Sequence, residues 1–510
     1  MSSSQNKTLA KNTIFLSVRM IFVMFVSLYT SRVFLHALGV EDFGINNVVC
    51  GFVAMFNFLN TSLANGIQRF YNSEMVKSGN KGARIVYNSA LLIQGCIAVL
   101  VVILLETVGL WYINNKMVIP IERFSTAIWI YQFSVISSVL VIMQTPYSAA
   151  VMAYEKMNYY AIVGIVDVML KLGLALAIPY VSGDHLLFYG AMMLCISISS
   201  FMMYVGYAKI KFTSLKIKLE LQHGLLKNMI TFSGWNFFGT FACMVREQGL
   251  NIVLNLFFGP VVNAARGIAY QVSSALQGFV SNISVAAKPQ MVSSFAEGNA
   301  ERTLKLMYSM SKLSFFILYI MAVPVCLEID YILHLWLGDV VPQHTANFVV
   351  LVILTNFMNN LNAPLSNVVY ATGKMRNYQV TFSVINILII PVAYVALQMG
   401  LPPEAAFFSY FVMTIFVQIG CLYVLKTIIK ISLTDYFYRL CCPLLIFSVV
   451  AIPLPYIIKM SMSVGFYRLG CVTVVTCITA FVSFYCIVLN RNEKNIAVNG
   501  FNKIKSHVVK

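Results

Sequence analysis

The chain has 510 residues, 59% of them hydrophobic and only 10% charged, with a formal net charge of +17. A soluble domain carries about 25% charged and about 45–50% apolar residues, so this composition excludes a large water-soluble domain and specifies a polytopic membrane protein. The 11 cysteines lie scattered in apolar segments without a C-x-x-C, and the 6 histidines show no metal spacing, so the cysteines read as small buried hydrophobes and no metal site or other cofactor is expected.

About 20 mostly apolar residues are needed to cross a bilayer as a helix. The polar start "MSSSQNKTLAKN" is followed by an apolar run holding Arg19 and Arg32 with no small-residue cleavage site, so span 1, near 13–36, is expected to be retained. Span 2, near 43–67, ends "FNFLNTSLANGIQRF", where Asn57, Thr61, Asn65 and Gln68 share one helical face. Spans near 85–112 and 122–147 lead to an elbow, "TPYSAAVMAYEKMNYY". Span 5, near 158–181, carries Asp167 and Lys171 at i, i+4, predicted to pair. After a span near 185–207, span 7 (228–257) holds Arg246 and Glu247, and span 8 (262–286) puts Arg266, Tyr270, Ser274, Gln277, Ser281 and Ser284 on one face. A span near 306–332 precedes span 10 (344–368), rich in Asn356, Asn359, Asn360 and Asn367 and followed by "YATGKMRNYQ". Spans near 378–399, 403–428, 434–458 and 466–489 bring the expectation to fourteen.

The chain repeats itself. Pro146, Ser148, Ala153, Lys156-Met157 and Tyr160 match Pro364, Ser366, Ala371, Lys374-Met375 and Tyr378 at a constant offset. "QRFYNSEMVKSGNKGAR" from Gln68 similarly lies over "AKPQMVSSFAEGNAERT" from Ala287, and "LGVEDFG" from Leu38 over "FGPVVNA" from Phe258. Six spans separate the elbows, so both copies point the same way. This predicts an all-α fold of about 14 transmembrane helices: two parallel six-helix lobes, 1–215 and 216–430, around a central cavity, two extra helices over 431–490 and a tail over 491–510. Twenty-six of the 35 basic residues, Lys312 among them, fall on the N-terminal side of these spans, against four on the other (Lys116, Arg123, Lys459 and Arg468). That bias places both termini in the cytoplasm and assigns the positive charge to topology and anionic lipid heads, not nucleic acid.

Amides and guanidinium groups facing acyl chains would go unsatisfied, so the stripes on spans 2 and 8 must face other helices or water. Interhelical hydrogen bonding is one reading. A water-filled cavity is the other, favoured by the matched positions of the two stripes. Amides and hydroxyls suit sugar hydroxyls. Five basic residues lie inside spans (Arg19, Arg32, Lys171, Arg246 and Arg266) against two clear acids, Asp167 and Glu247. Arg19, Arg32 and Arg266 can snorkel from the span ends, but a net positive cavity suits a phosphate or pyrophosphate, which arginine binds with a fork. The sequence lacks G-x-x-x-x-G-K-[ST], so transport must draw on the membrane potential, the substrate gradient, or a proton or sodium ion taken up at Asp167, beside Lys171, or at Glu247.

The lobe plan, "LGVEDFGINN", "GNKGAR" and "EKMNYY" together resemble the polysaccharide transporters of O-antigen flippase type, in the multidrug/oligosaccharidyl-lipid/polysaccharide exporter superfamily. The resemblance implies a flippase, not an enzyme, that moves an undecaprenyl-diphosphate-linked oligosaccharide across the bacterial inner membrane by alternating access. Membrane lipids, a proton or sodium ion and a polysaccharide polymerase complex are the other partners it implies. It also implies cavity-lining basic residues on helices 1, 2, 7 and 8; here Arg19, Arg32, Arg246 and Arg266 match, whereas the only arginine of helix 2, Arg69, lies at its end. The alternatives are a lipid II flippase, a multidrug antiporter of the same superfamily and, less favoured for want of a catalytic cluster, a membrane enzyme of polysaccharide synthesis.

Overall fold

The computed structural model describes residues 3–495 except 155, 213–221, 297–298, 373–374, 430 and 492. Within helices, the side chains of 3–21, 57–66, 68–69, 230–237 and 281–290 and of some other positions also lie outside the described residues. The described chain is helical throughout, as a bilayer requires of a backbone that must satisfy its own hydrogen bonds.

In chain order the helices are α1 (Ser3–Ala54), α2 (Phe58–Leu104), α3 (Leu110–Asn115), α4 (Phe124–Ala153), α5 (Met157–Ala177), α6 (His185–Lys211), α7 (His223–Phe258), α8 (Pro260–Ala296) and α9 (Ala300–Leu327). They continue as α10 (Ile329–Leu337), α11 (Thr345–Thr372), α12 (Met375–Gln398), α13 (Glu404–Ile429), α14 (Leu433–Tyr436), α15 (Cys442–Ala451), α16 (Pro453–Ser461) and α17 (Phe466–Ser483). Eleven segments among the described residues are long and apolar enough to cross a membrane. The other three expected spans, 43–67, 228–257 and 262–286, fall in α1–α2, α7 and α8, where many side chains lie outside the described residues.

The matched elbows have the same local chemistry. Pro146 and Pro364 both sit inside helices, α4 and α11, where each removes a backbone donor. Two residues on, Ser148 donates to the Thr145 carbonyl (3.1 Å) and Ser366 to the Ala363 carbonyl (2.8 Å), in each case the residue before the proline. The weaker match at Leu38 and Phe258 is also local structure. Gly39 breaks α1 with φ 78° and ψ 169°, and Gly259 separates α7 from α8 with φ 72° and ψ −171°. That region is open essentially to glycine alone.

The chain packs as two compact units. The first comprises Met1–Gln271, Trp336–Thr345 and Phe382–Tyr410. Its seam on the side of Gly39 and Gly259 is built on small residues: a Cβ on Gly44 would lie 2.0 Å from the Pro260 carbonyl oxygen, and one on Gly267 2.8 Å from the Asn47 amide. Buried amides finish it. Asn263 donates to the carbonyl and side-chain oxygens of Asn251 (both 2.7 Å), and Asn251 donates to the Asn47 carbonyl (3.3 Å). Asn255 accepts from the Val118 N–H at 3.0 Å. The 336–345 segment docks on α1, with the Trp336 indole donating to the Leu28 carbonyl (2.7 Å) and His36 donating to the Leu337 carbonyl (2.5 Å).

The second unit comprises Val272–Leu335, Ala346–Thr381 and Phe411–Lys510. Its core stacks Phe315, Phe316, Tyr319, Phe447 and Phe484 from α9, α15 and the π-helical turn Phe484–Val488. A buried relay runs from the Tyr378 hydroxyl to Asn362 (2.8 Å), Asn362 to Gln418 (3.1 Å) and Gln418 to the Tyr436 hydroxyl (2.8 Å).

Candidate functional site

The charged cluster of the first unit starts from a close helix approach. A Cβ on Gly249 would lie 2.4 Å from the Ile390 side chain, so glycine lets α7 come this near to α12 without displacing that side chain. One turn before Gly249 stands Arg246, and one turn before Ile390 stands Asn386. The approach brings them together: Arg246 Nη1 donates to Asn386 Oδ1 at 2.5 Å. Arg246 Nη2 pairs with Glu247 at 3.0 Å, and its guanidinium lies 4.7 Å from the ring centre of Tyr410 at the head of α13. Asn386 is in turn fixed by donating to the Phe382 carbonyl (2.7 Å).

Arg266 enters from α8. Its Nη2 donates to the Glu247 carbonyl at 2.6 Å and its guanidinium lies 4.2 Å from the Tyr270 ring centre. Both arginines are buried, at 6% and 7% exposure, whereas the Glu247 side chain is 40% exposed. Among the described residues, three buried donors in this cluster have no acceptor: the Nε–H of Arg246, the Nε–H of Arg266 and the hydroxyl of Tyr270. A buried donor without a partner costs about 1–3 kcal/mol, more when charged. The Asn386 and Glu247 oxygens and the two rings satisfy these guanidinium groups only in part, so the cluster is short of acceptors and suits an anion.

The predicted residues distribute as follows. Arg246, Glu247, Arg266 and Tyr270 come together. Ser274 is exposed and Gln277 half-buried on the continuation of α8 into the second unit. Arg32 is half-buried beside the docked 336–345 segment, 3.9 Å from where a Cβ on Gly338 would stand. Asp167 and Lys171 form the expected pair at 2.7 Å, and Ser200 of α6 donates to Asp167 at 3.2 Å. The side chains of Arg19, Asn57, Thr61, Asn65, Gln68, Ser281 and Ser284 lie outside the described residues. In the second unit Asn356 donates to Ser273 at 2.8 Å.

Asn386 and Tyr410 were not anticipated from the sequence; the signal available was a lone amide in the apolar run "FSVINILIIPVAY". Lys312, read as a loop residue, is instead 3% exposed inside α9, where Glu493 reaches it at 2.9 Å. Burial without a partner is too costly for an ammonium, so a carboxylate from beyond the last span completes it.

No family model and no curated protein matches the sequence. Among solved structures, the inward-facing conformation of a multidrug resistance MATE family transporter of the MOP superfamily aligns at TM-score 0.70 and 13% identity, over 82% of this chain and 98% of that one. Lipid II flippase MurJ, in an inward closed conformation, aligns at TM-score 0.69 and 11% identity, over 92% and 98%. An outward-facing conformation of a MATE family transporter aligns at 0.61 and 14% identity, over 82% and 97%. The chain therefore has the fold of MOP-superfamily transporters, a fold carried by transporters and flippases among these neighbours.

Proposed function

We propose that the protein is a flippase that carries a lipid-diphosphate-linked oligosaccharide across a bacterial inner membrane by alternating access, with both termini in the cytoplasm and two parallel six-helix lobes around the path. The observation that carries this reading is the acceptor-deficient cluster of Arg246, Arg266 and Tyr270 in spans of a transporter fold. A diphosphate offers several oxygens to donors that have no acceptor among the described residues, and arginine is the residue whose fork fits them. One protein of this fold is a lipid II flippase, which supports a lipid-linked substrate for the fold. An excess of embedded basic residues over acids disfavours a cationic drug as cargo. Arg19 and Arg32 are assigned to the same path, with the amide and hydroxyl stripe of Asn57, Thr61, Asn65, Gln68 and Gln277 facing the glycan. Asp167, Lys171 and Glu247 are assigned to ion coupling.

The test is Arg246. Export of the glycan repeat unit in a strain lacking its own copy should be lost with Arg246→Ala at normal protein level, and only partly restored with Arg246→Lys, which keeps the charge and loses the fork. Undiminished export with Arg246→Ala refutes the assignment.

A further inference from the structure

We propose that Glu247 is an exchangeable counter-anion: its carboxylate holds Arg246 while the site is empty and gives way to a phosphate oxygen when a diphosphate headgroup arrives. The inference rests on the anionic-headgroup reading above and adds how the site is kept occupied and released.

Four observations carry it. First, the pair is lopsided: Arg246 is 7% exposed at its side chain and Glu247 40%. The guanidinium is fixed in the protein while the carboxylate is the more exposed and the freer of the two. Second, the two are consecutive residues of α7. Neighbours i and i+1 on a helix do not face each other, so Glu247 must bend sideways to reach Nη2, and nothing in the helix geometry favours its staying. Third, Arg246 keeps its place without Glu247, because Asn386 Oδ1 holds Nη1 at 2.5 Å and the Tyr410 ring lies 4.7 Å away. Asn386 and Tyr410 are thus positioning residues, and exchange requires the carboxylate alone to move. Fourth, Arg266 is held by the backbone carbonyl of Glu247, not its side chain. When the carboxylate swings away, the second guanidinium stays where it is.

On exchange Arg246 Nη2 is freed in a cluster where three further donors, the Nε–H of each arginine and the Tyr270 hydroxyl, have no acceptor among the described residues. A carboxylate occupies one of these four positions; a diphosphate has oxygens for more. Substrate therefore wins by number of bonds, not by charge alone. The buried Arg246 is also never left without an anionic partner, which would be expensive.

The test uses the full-length protein in lipid nanodiscs and inorganic pyrophosphate as the probe, titrated by calorimetry. Glu247→Gln removes the competing charge and keeps the shape, and pyrophosphate should bind about tenfold or more tightly than to the parent protein. Asn386→Asp places a second carboxylate on the same guanidinium and should weaken binding by a similar factor. Arg246→Met should abolish binding in the parent and in the Glu247→Gln background. Equal affinity of the parent, Glu247→Gln and Asn386→Asp, with loss in Arg246→Met, overturns the exchange and leaves the anion site standing. Absence of pyrophosphate binding in both parent and Glu247→Gln, or binding untouched by Arg246→Met, overturns the anion site and the exchange with it. Should Glu247→Gln not fold, as judged by size-exclusion profile, Asn386→Asp decides: unchanged affinity there also overturns the exchange.

Discussion

Glu328 and Arg468 meet at 2.6 Å in the second unit, with the carboxylate side chain fully buried and the guanidinium 12% exposed. They join the end of α9 to the start of α17, and so tie the last helices to the rest of that unit. Removing one partner leaves a buried charge uncompensated, at about 3–5 kcal/mol. Arg468→Met should therefore lower the melting temperature of the purified protein markedly, and Glu328→Gln in the same chain should recover part of the loss; additive losses would mean the two do not interact. Glu493 is a milder case. Burial pushes its carboxyl up, but the Asn490 N–H, Lys312 and Ser309 outweigh burial and hold it below its ordinary value. A depressed carboxyl stabilises above its unfolded value and loses that contribution as pH falls through the lowered one. The Lys312–Glu493 clamp should thus be intact at neutral pH and weaken only in acid, and Glu493→Gln should flatten that acid limb in a melting series. At this scale the sequence was readable where a charge stood alone in an apolar run, as with Arg246, Glu247, Arg266 and the Asp167–Lys171 pair. It was silent on Asn386 and Glu493, because each is defined by a partner 140 or 181 residues away.

At the scale of helices, the seam beside Gly39 and Gly259 depends on backbones that touch. Gly44 lies against the Pro260 carbonyl so closely that one methyl group has no room. Gly44→Ala should push the 40–54 part of α1 away from α8 and open the amide ladder of Asn47, Asn251 and Asn263. Ala264, fully buried one turn past Pro260, reports this when changed to Cys. A membrane-impermeant maleimide added from outside should label Ala264→Cys slowly, and faster when Gly44→Ala is also present; equal labelling refutes the seam as a steric closure. The sequence located most of these helices by length and apolarity, and it located the repeated elbows by Pro146 and Pro364. The break expected between the first two spans falls at Gly39, where Ser3–Ala54 leaves helical geometry. Periodicity and hydropathy mark where a helix is apolar, not its local irregularities. The sequence did not foresee the π-helical turns Leu105–Gly109 and Phe437–Cys441, since a single inserted residue leaves composition unchanged.

For the whole molecule the sequence speaks through charge. The basic bias predicts that cysteines placed in loops 69–84, 148–157, 208–227 and 369–377 are labelled only from the cytoplasmic side. Any one of them reached from outside would refute the fourteen-span topology. The same charges bear on what drives transport. On the proposed function, a headgroup with two negative charges leaving a negative interior would gain roughly 2.3 kcal/mol per charge per 100 mV, so the potential would contribute whatever else is coupled. Both candidate coupling carboxylates are held by tethered cations: Asp167 by Lys171 at 2.7 Å and Glu247 by Arg246 at 3.0 Å. A sodium ion would have to compete with an ammonium or guanidinium already in contact. A proton needs only the carboxylate itself, and Glu247, if displaced by substrate as proposed, would present one. The expectation is therefore proton coupling superimposed on the potential. In proteoliposomes at clamped potential, an imposed proton gradient should accelerate flipping and a sodium gradient should not. Asp167→Asn should reduce the acceleration while sparing the potential-driven rate. A parent rate that follows the potential and ignores both gradients would exclude ion coupling at Asp167 and Glu247 alike.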